Sequence, residues 1–170
     1  MSEKTEVRVQ SLRVSLTGQS RILLLKEKDG ALSLPIFVGQ FEAEAIVLSL
    51  QDIEISRPQP HDLILSAIKV LDGRVRCAEI TLMKAATFYA VIEMENADGQ
   101  PVYLDCRPSD AIAVALRANV PIYVDRELMQ QYGILPEVDV RTKRQNQIDE
   151  NESDGDSEDL SAFSDFLSNF

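Results

Sequence analysis

The feature that most restricts this chain is an internal echo. Glu44-Ala45-Ile46-Val47-Leu48-Ser49-Leu50 returns as Asp110-Ala111-Ile112-Ala113-Val114-Ala115-Leu116. A short apolar run precedes each copy, Pro35-Ile36-Phe37-Val38 and Pro101-Val102-Tyr103-Leu104. An Asp-Gly pair precedes each run, at Asp29-Gly30 and Asp98-Gly99. Further upstream, Val7, Val9, Leu12 and Val14 match Val75, Cys77, Ile80 and Leu82. In both sets the apolar alternation slips by one residue at the same place, which reads as a β-bulge in each half. Such a chain is expected to form two like units, related by approximate twofold pseudo-symmetry, around a shared core. A site between the units would draw residues from both.

The first unit spans about 7–71 and the second about 75–133. The pattern predicts strands at 7–16, 21–27 and 32–38, then helices at 41–51 and 61–71. Asp-Gly between apolar runs signals a hairpin. Arg57-Pro58 and Pro60 separate the two helices. Ile64, Leu65, Ile68 and Leu71 keep helical spacing. The second unit repeats the order, with strands near 75–83, 87–95 and 101–106 and a helix at 108–118. A short extra strand, Ile122-Tyr123-Val124, precedes a last helix at 126–132, with Asp125 as its cap and Gly133 as its stop. The fold class is α+β, a duplicated β3α2 unit with mainly antiparallel strands, because the links are short hairpins. The first helix of each unit is apolar nearly all round, so it is expected under a sheet or at a subunit interface. A homo-oligomer is the expected partner state.

Charge is divided unevenly. Of 28 acids, eight lie in residues 145–170, which hold no base. Residues 1–144 keep 20 acids against 17 bases. Non-specific nucleic-acid binding runs on basic charge, so a nucleic-acid role needs a local basic cluster or a metal. The domain is expected at 1–140. Residues 141–159 read as a disordered acidic linker. In 160–170, Leu160, Phe163, Phe166, Leu167 and Phe170 share one helical face, which predicts a short docking segment for a protein partner. No apolar run reaches the roughly 20 residues of a membrane span. Met1 to Arg8 is charged and lacks a signal peptide's apolar stretch. Cys77 and Cys106 have no zinc spacing and read as buried, reduced thiols. A cytoplasmic protein is the expectation.

No nucleophile elbow, P-loop, dinucleotide fingerprint or metalloprotease helix is present. Polar residues instead cluster at three strand–helix or loop–helix junctions. Gln40, Glu42 and Glu44 enter the first helix. Arg57, His61 and Asp62 enter the second. Asp105, Arg107, Ser109 and Asp110 stand at the second copy's junction. His61 is the sole histidine, suited to general base, ligand or phosphate donor. It equally suits a helix start that donates to a nearby carbonyl. Asp62 fits either a metal or its own helix N-terminus. Pro108 fits a first helical position, and Asp110 then lies in the first turn, with Glu44 as its repeat partner. Arg57 and Arg107 suit a phosphate, or an internal pair with Asp62, Asp105 or Asp110. Carboxylates such as Glu42 and Asp105 can hold Mg²⁺ or Mn²⁺ with waters in place. These residue types suit metal-assisted phosphodiester hydrolysis without demanding it. No organic cofactor is expected.

Longer motifs carry a resemblance. They are Leu34-Pro35-Ile36-Phe37-Val38-Gly39 followed by Glu42-Ala43-x-Ala45-Ile46, then Arg57-Pro58-x-Pro60-His61-Asp62-Leu63, then Thr87-Phe88-Tyr89-Ala90. Asp105-x-Arg107-Pro108-Ser109-Asp110-Ala111-Ile112-Ala113 and Pro121-Ile122-Tyr123-Val124 complete the set. Over roughly residues 7–135 the chain resembles the bifunctional nuclease domain family. Pro60 departs from an expected threonine and Cys106 from the usual alanine. The resemblance implies a duplicated α+β fold and hydrolysis of RNA and DNA, but no settled catalytic set. The expectation is a nuclease with His61, Asp62 and Asp110 as catalytic groups, and Arg57, Arg107 and Ser109 as substrate contacts. The alternative is a non-catalytic oligomeric binding or regulatory module using the cleft between the repeats.

Overall fold

Seven strands form one sheet, and a four-residue strand holds its two halves together. The computed structural model describes residues 3–14, 21–53 and 55–135. The expected linker at 141–159 and docking segment at 160–170 lie outside the described residues. The elements are β1 Lys4–Val14, β2 Arg21–Glu27, β3 Ser33–Val38, α1 Gln40–Leu50, α2 Pro60–Val70, β4 Arg74–Lys84, β5 Thr87–Glu95, β6 Pro101–Cys106, α3 Pro108–Ala118, β7 Ile122–Asp125 and α4 Arg126–Tyr132. The sheet order is β3-β2-β1-β7-β4-β5-β6. Each half is an antiparallel meander. β7 pairs antiparallel with β1 and parallel with β4, so it joins the meanders.

The two halves share the order of three strands and a helix, although α2 follows in the first and β7 and α4 follow in the second. The bulges do not coincide as the apolar slip suggested. β1 shifts register between Val9 and Ser11, whereas β4 shifts between Val75 and Cys77 and again between Ile80 and Leu82. Side-chain alternation records that a strand is interrupted, but the partner strand decides which residue is squeezed out. Helix starts also realign the copies. Glu42 is the third residue of α1 as Asp110 is of α3, so Glu42 holds the matching place and Glu44 lies half a turn on.

α3 is the buried axis of the domain. Ala111, Ile112, Ala113, Val114 and Ala115 are all fully buried. Small alanines let α3 lie close to its neighbours, and it packs on β4, β5, α1 and α2. Leu23, Leu25, Leu34, Ile36, Ile80 and Ile92 close the core from the sheet. Burying each such aliphatic side chain contributes roughly 1.5–3 kcal/mol. α3 is therefore covered within one chain. Asn119 ends it in the left-handed region at φ 53°, a conformation Asn tolerates, and Val120-Pro121 then leads into β7. α1 buries Ala43, Ala45 and Ile46 but leaves Phe41 and Leu50 exposed. Among the described residues, no helix is long and apolar enough to cross a membrane.

Candidate active site

Three helix beginnings meet at one place. α3 follows β6 directly, so Arg107 at its N-cap and Asp110 in its first turn are held by the sheet edge. Pro108 occupies the first helical position, where a missing N–H costs nothing. Arg107 grips Asp110 with two hydrogen bonds, Nε to Oδ2 at 2.6 Å and Nη2 to Oδ1 at 2.9 Å. Its third nitrogen, Nη1, lies 2.8 Å from Oε1 of Glu42 in the first turn of α1. Arg107 itself stays 65% exposed.

His61 enters from α2. Its Nε2 lies 3.3 Å from Asp110 Oδ1. A carboxylate only accepts, so Nε2 donates its proton in this contact. Nδ1 is buried and has no hydrogen-bond partner among the described residues. Burial pushes the Asp110 carboxyl upward, but hydrogen bonds from Arg107 and His61 outweigh it and hold the group below its ordinary 3.8. The bonds from Arg107 to Asp110, and after them the one to Glu42, raise Arg107 further, so the guanidinium is permanently charged.

Behind this contact lies a residue the sequence reading passed over. Arg117, in the last turn of α3, has a side chain only 9% exposed. Its Nε donates to Asp62 Oδ1 at 3.0 Å and its Nη2 to Gln59 Oε1 at 2.6 Å. Nη2 also donates to the Ala45 carbonyl and Nη1 to the Ala113 carbonyl, both at 3.0 Å. Asp62 Oδ2 meanwhile accepts from the Gln59 N–H at 2.8 Å, closing the capping box of α2. Arg117 thus ties α1 to the first turn of α2, the turn that presents His61. The signal was an arginine on a helix with no polar face, where a charged group must find partners indoors.

The predicted residues therefore divide. His61, Asp110, Arg107 and Glu42 come together. Asp62 turns to Arg117 and to its own helix end. Ser109 is buried in the first turn of α3. Arg57 and Asp105 are exposed, and among the described residues neither forms a salt bridge. Among the described residues, no three His, Cys, Asp or Glu side chains converge on one metal position. Glu42 faces Arg107 instead.

A profile of the bifunctional nuclease domain matches residues 23–137. The chain belongs to the bifunctional nuclease domain family. An uncharacterized protein of Mycobacterium tuberculosis is 40% identical over 130 residues, 76% of this chain and 77% of that protein. Bifunctional nuclease 1 of Oryza sativa subsp. japonica is 29% identical over 126 residues, 72% of this chain and 38% of its own length. Bifunctional nuclease 2 of Arabidopsis thaliana is 28% identical over 115 residues, 66% of this chain and 35% of its own length. The family match covers all three helix beginnings that meet at Asp110.

Proposed function

We propose that the chain is a nuclease that hydrolyses phosphodiester bonds of RNA and DNA at the junction of α1, α2 and α3. One observation carries the reading: Asp110 joins an imidazole and an exposed guanidinium across two helices. In this proposal Arg107 receives a phosphate oxygen, trading its exposed edge for the substrate. Asp110 holds the His61 ring by Nε2–H. The free lone pair on Nδ1 then takes the proton of an attacking water once the turn opens enough to admit it. Family membership and the plant relatives' names support the activity class.

Mg²⁺ or Mn²⁺ belongs to the proposal as an ion that arrives with the phosphates, since Mg²⁺ commonly uses one or two carboxylates plus substrate oxygens. Glu42 and Asp105 are the carboxylates nearest that role in the sequence reading. When bound, such an ion would offset charge on the phosphodiester. The test is degradation of single-stranded RNA and DNA by purified protein, with Mg²⁺, with Mn²⁺ and with chelator. Cleavage lost in Arg107→Met and His61→Gln supports the site. No cleavage by clean wild-type protein under any of these conditions rejects the nuclease reading and favours the binding-module alternative.

A further inference from the structure

Two exposed aromatic side chains adjoin Arg107, one from α1 and one from β5. Phe41 is the second residue of α1 and is 79% exposed. The next residue, Glu42, is the one that meets Nη1 of Arg107. Consecutive Cα atoms are about 3.8 Å apart, so Phe41 leaves α1 beside the guanidinium. Tyr89 is 40% exposed. The ladder between β5 and β6 ends at the pair Ala90 and Cys106. Tyr89 and Arg107 each lie one residue past that pair, so their backbones run side by side where the ladder stops. Ala90 is fully buried, and strand alternation turns Tyr89 the other way, toward solvent.

A single exposed apolar side chain is ordinary. Here two aromatic ones, from elements far apart in sequence, border the same exposed cation. We propose that Phe41 and Tyr89 are base-stacking residues, which receive nucleobases on either side of a phosphate held by Arg107. The inference rests on the reading of Arg107 as the phosphate contact and adds the chemistry of what flanks it, the unpaired bases of a single strand. In a duplex both faces of a base are already covered by its neighbours. Every base has a π-face, so stacking is tolerant of sequence and of either sugar.

The charge distribution gives stacking a purpose. Residues 1–144 hold 20 acids against 17 bases, so the domain lacks the basic excess that drives non-specific binding. Affinity must then come from short-range contacts near the few exposed cations. An aromatic ring beside Arg107 supplies such a contact without adding charge.

The test separates bases from phosphates. A short oligothymidylate and an abasic strand of equal length carry the same phosphates and differ in their bases. Anisotropy of labelled strands, in chelator and again in Ca²⁺, measures binding to the full chain apart from cleavage. Oligothymidylate is expected to bind more tightly than the abasic strand. Phe41→Leu and Tyr89→Leu should each weaken oligothymidylate binding at least about fivefold, the lower end of the scale for one stacked base. Both should leave abasic binding unchanged, and Tyr89→Phe should bind as wild type. Arg107→Met should weaken both strands alike. Both aromatic positions are exposed, and circular dichroism checks that the variants fold. The chain has no tryptophan, so Phe41→Trp adds a single indole whose emission oligothymidylate should quench and the abasic strand should not. Equal binding of the two strands, leucine variants that bind oligothymidylate like wild type, or an indole that answers to protein dilution and not to the strand would each overturn the proposal. Wild-type protein that binds with these preferences yet cleaves nothing would reject the nuclease reading and leave the stacking site standing.

Discussion

Arg117 and Asp62 are 55 residues apart in the chain and 3.0 Å apart in space. Their contact holds the first turn of α2 against the last turn of α3. The guanidinium is buried and well paired, so its loss strands a carboxylate, an amide oxygen and two carbonyls. Arg117→Met is expected to cost about 3–5 kcal/mol in urea unfolding. It should also move the imidazole signals of His61, the sole histidine, in the NMR spectrum. Arg117→Lys keeps the charge and should recover part of the stability but not the His61 signal position. A methionine variant as stable as wild type would show that Arg117 holds nothing.

Asp110 supplies a pH dependence whose sign follows from its depressed pKa. Its folded-state value lies below the ordinary 3.8. The contribution is therefore present above the unfolded value and lost as pH falls through the folded one. Wild-type protein should lose more stability than Asp110→Asn between about pH 5 and about pH 3. Parallel losses in the two proteins, measured by chemical denaturation, would remove Asp110 from this role.

His61→Ala should lower nuclease turnover at least about 100-fold, the usual scale for a lost general base. His61→Gln, closer in size, should lose activity alike while unfolding near the wild-type midpoint. Turnover that survives in the folded glutamine variant would make His61 a packing residue of α2.

The β4–β5 hairpin turns through Ala85 and Ala86, both in the left-handed region at φ 48° and 59°. A side chain with a Cβ is disfavoured there by roughly 1–2 kcal/mol per residue. Replacing the pair by Asn-Gly, which suits such a turn, should raise stability by about 1–2 kcal/mol. A lowered thermal midpoint would mean that the turn is held by contacts other than its own backbone.

Both thiols should be slow to alkylate at neutral pH. Burial pushes Cys77 and Cys106 up to about 11, with nearby carboxylates adding to the effect. The protonated thiol is a poor nucleophile. Fast reaction with iodoacetamide in the native state, matching the unfolded rate, would contradict that placement.

Hairpins, helix beginnings and helix stops were legible in the residues because they rest on local physics. Period-two alternation marked the strands, Pro108 marked a first helical position, and Asp62 capped α2 as its position suggested, while Pro60, read as a helix breaker, proved to be the first residue of α2. The polar junctions were also visible, since charged side chains stood where apolar runs broke. Tertiary structure alone decided that the brief run at β7 joins the two meanders, because strand pairing depends on partners far off in sequence. It alone chose which junction residues meet: Arg107 took Glu42 and Asp110, while Arg57 and Asp105 stayed at the surface. It alone gave Arg117 its place, since a buried charge is settled by acceptors from α1 and α2 that its own helix does not contain. A sequence records which groups need partners, and only the packed chain brings those partners within hydrogen-bond reach.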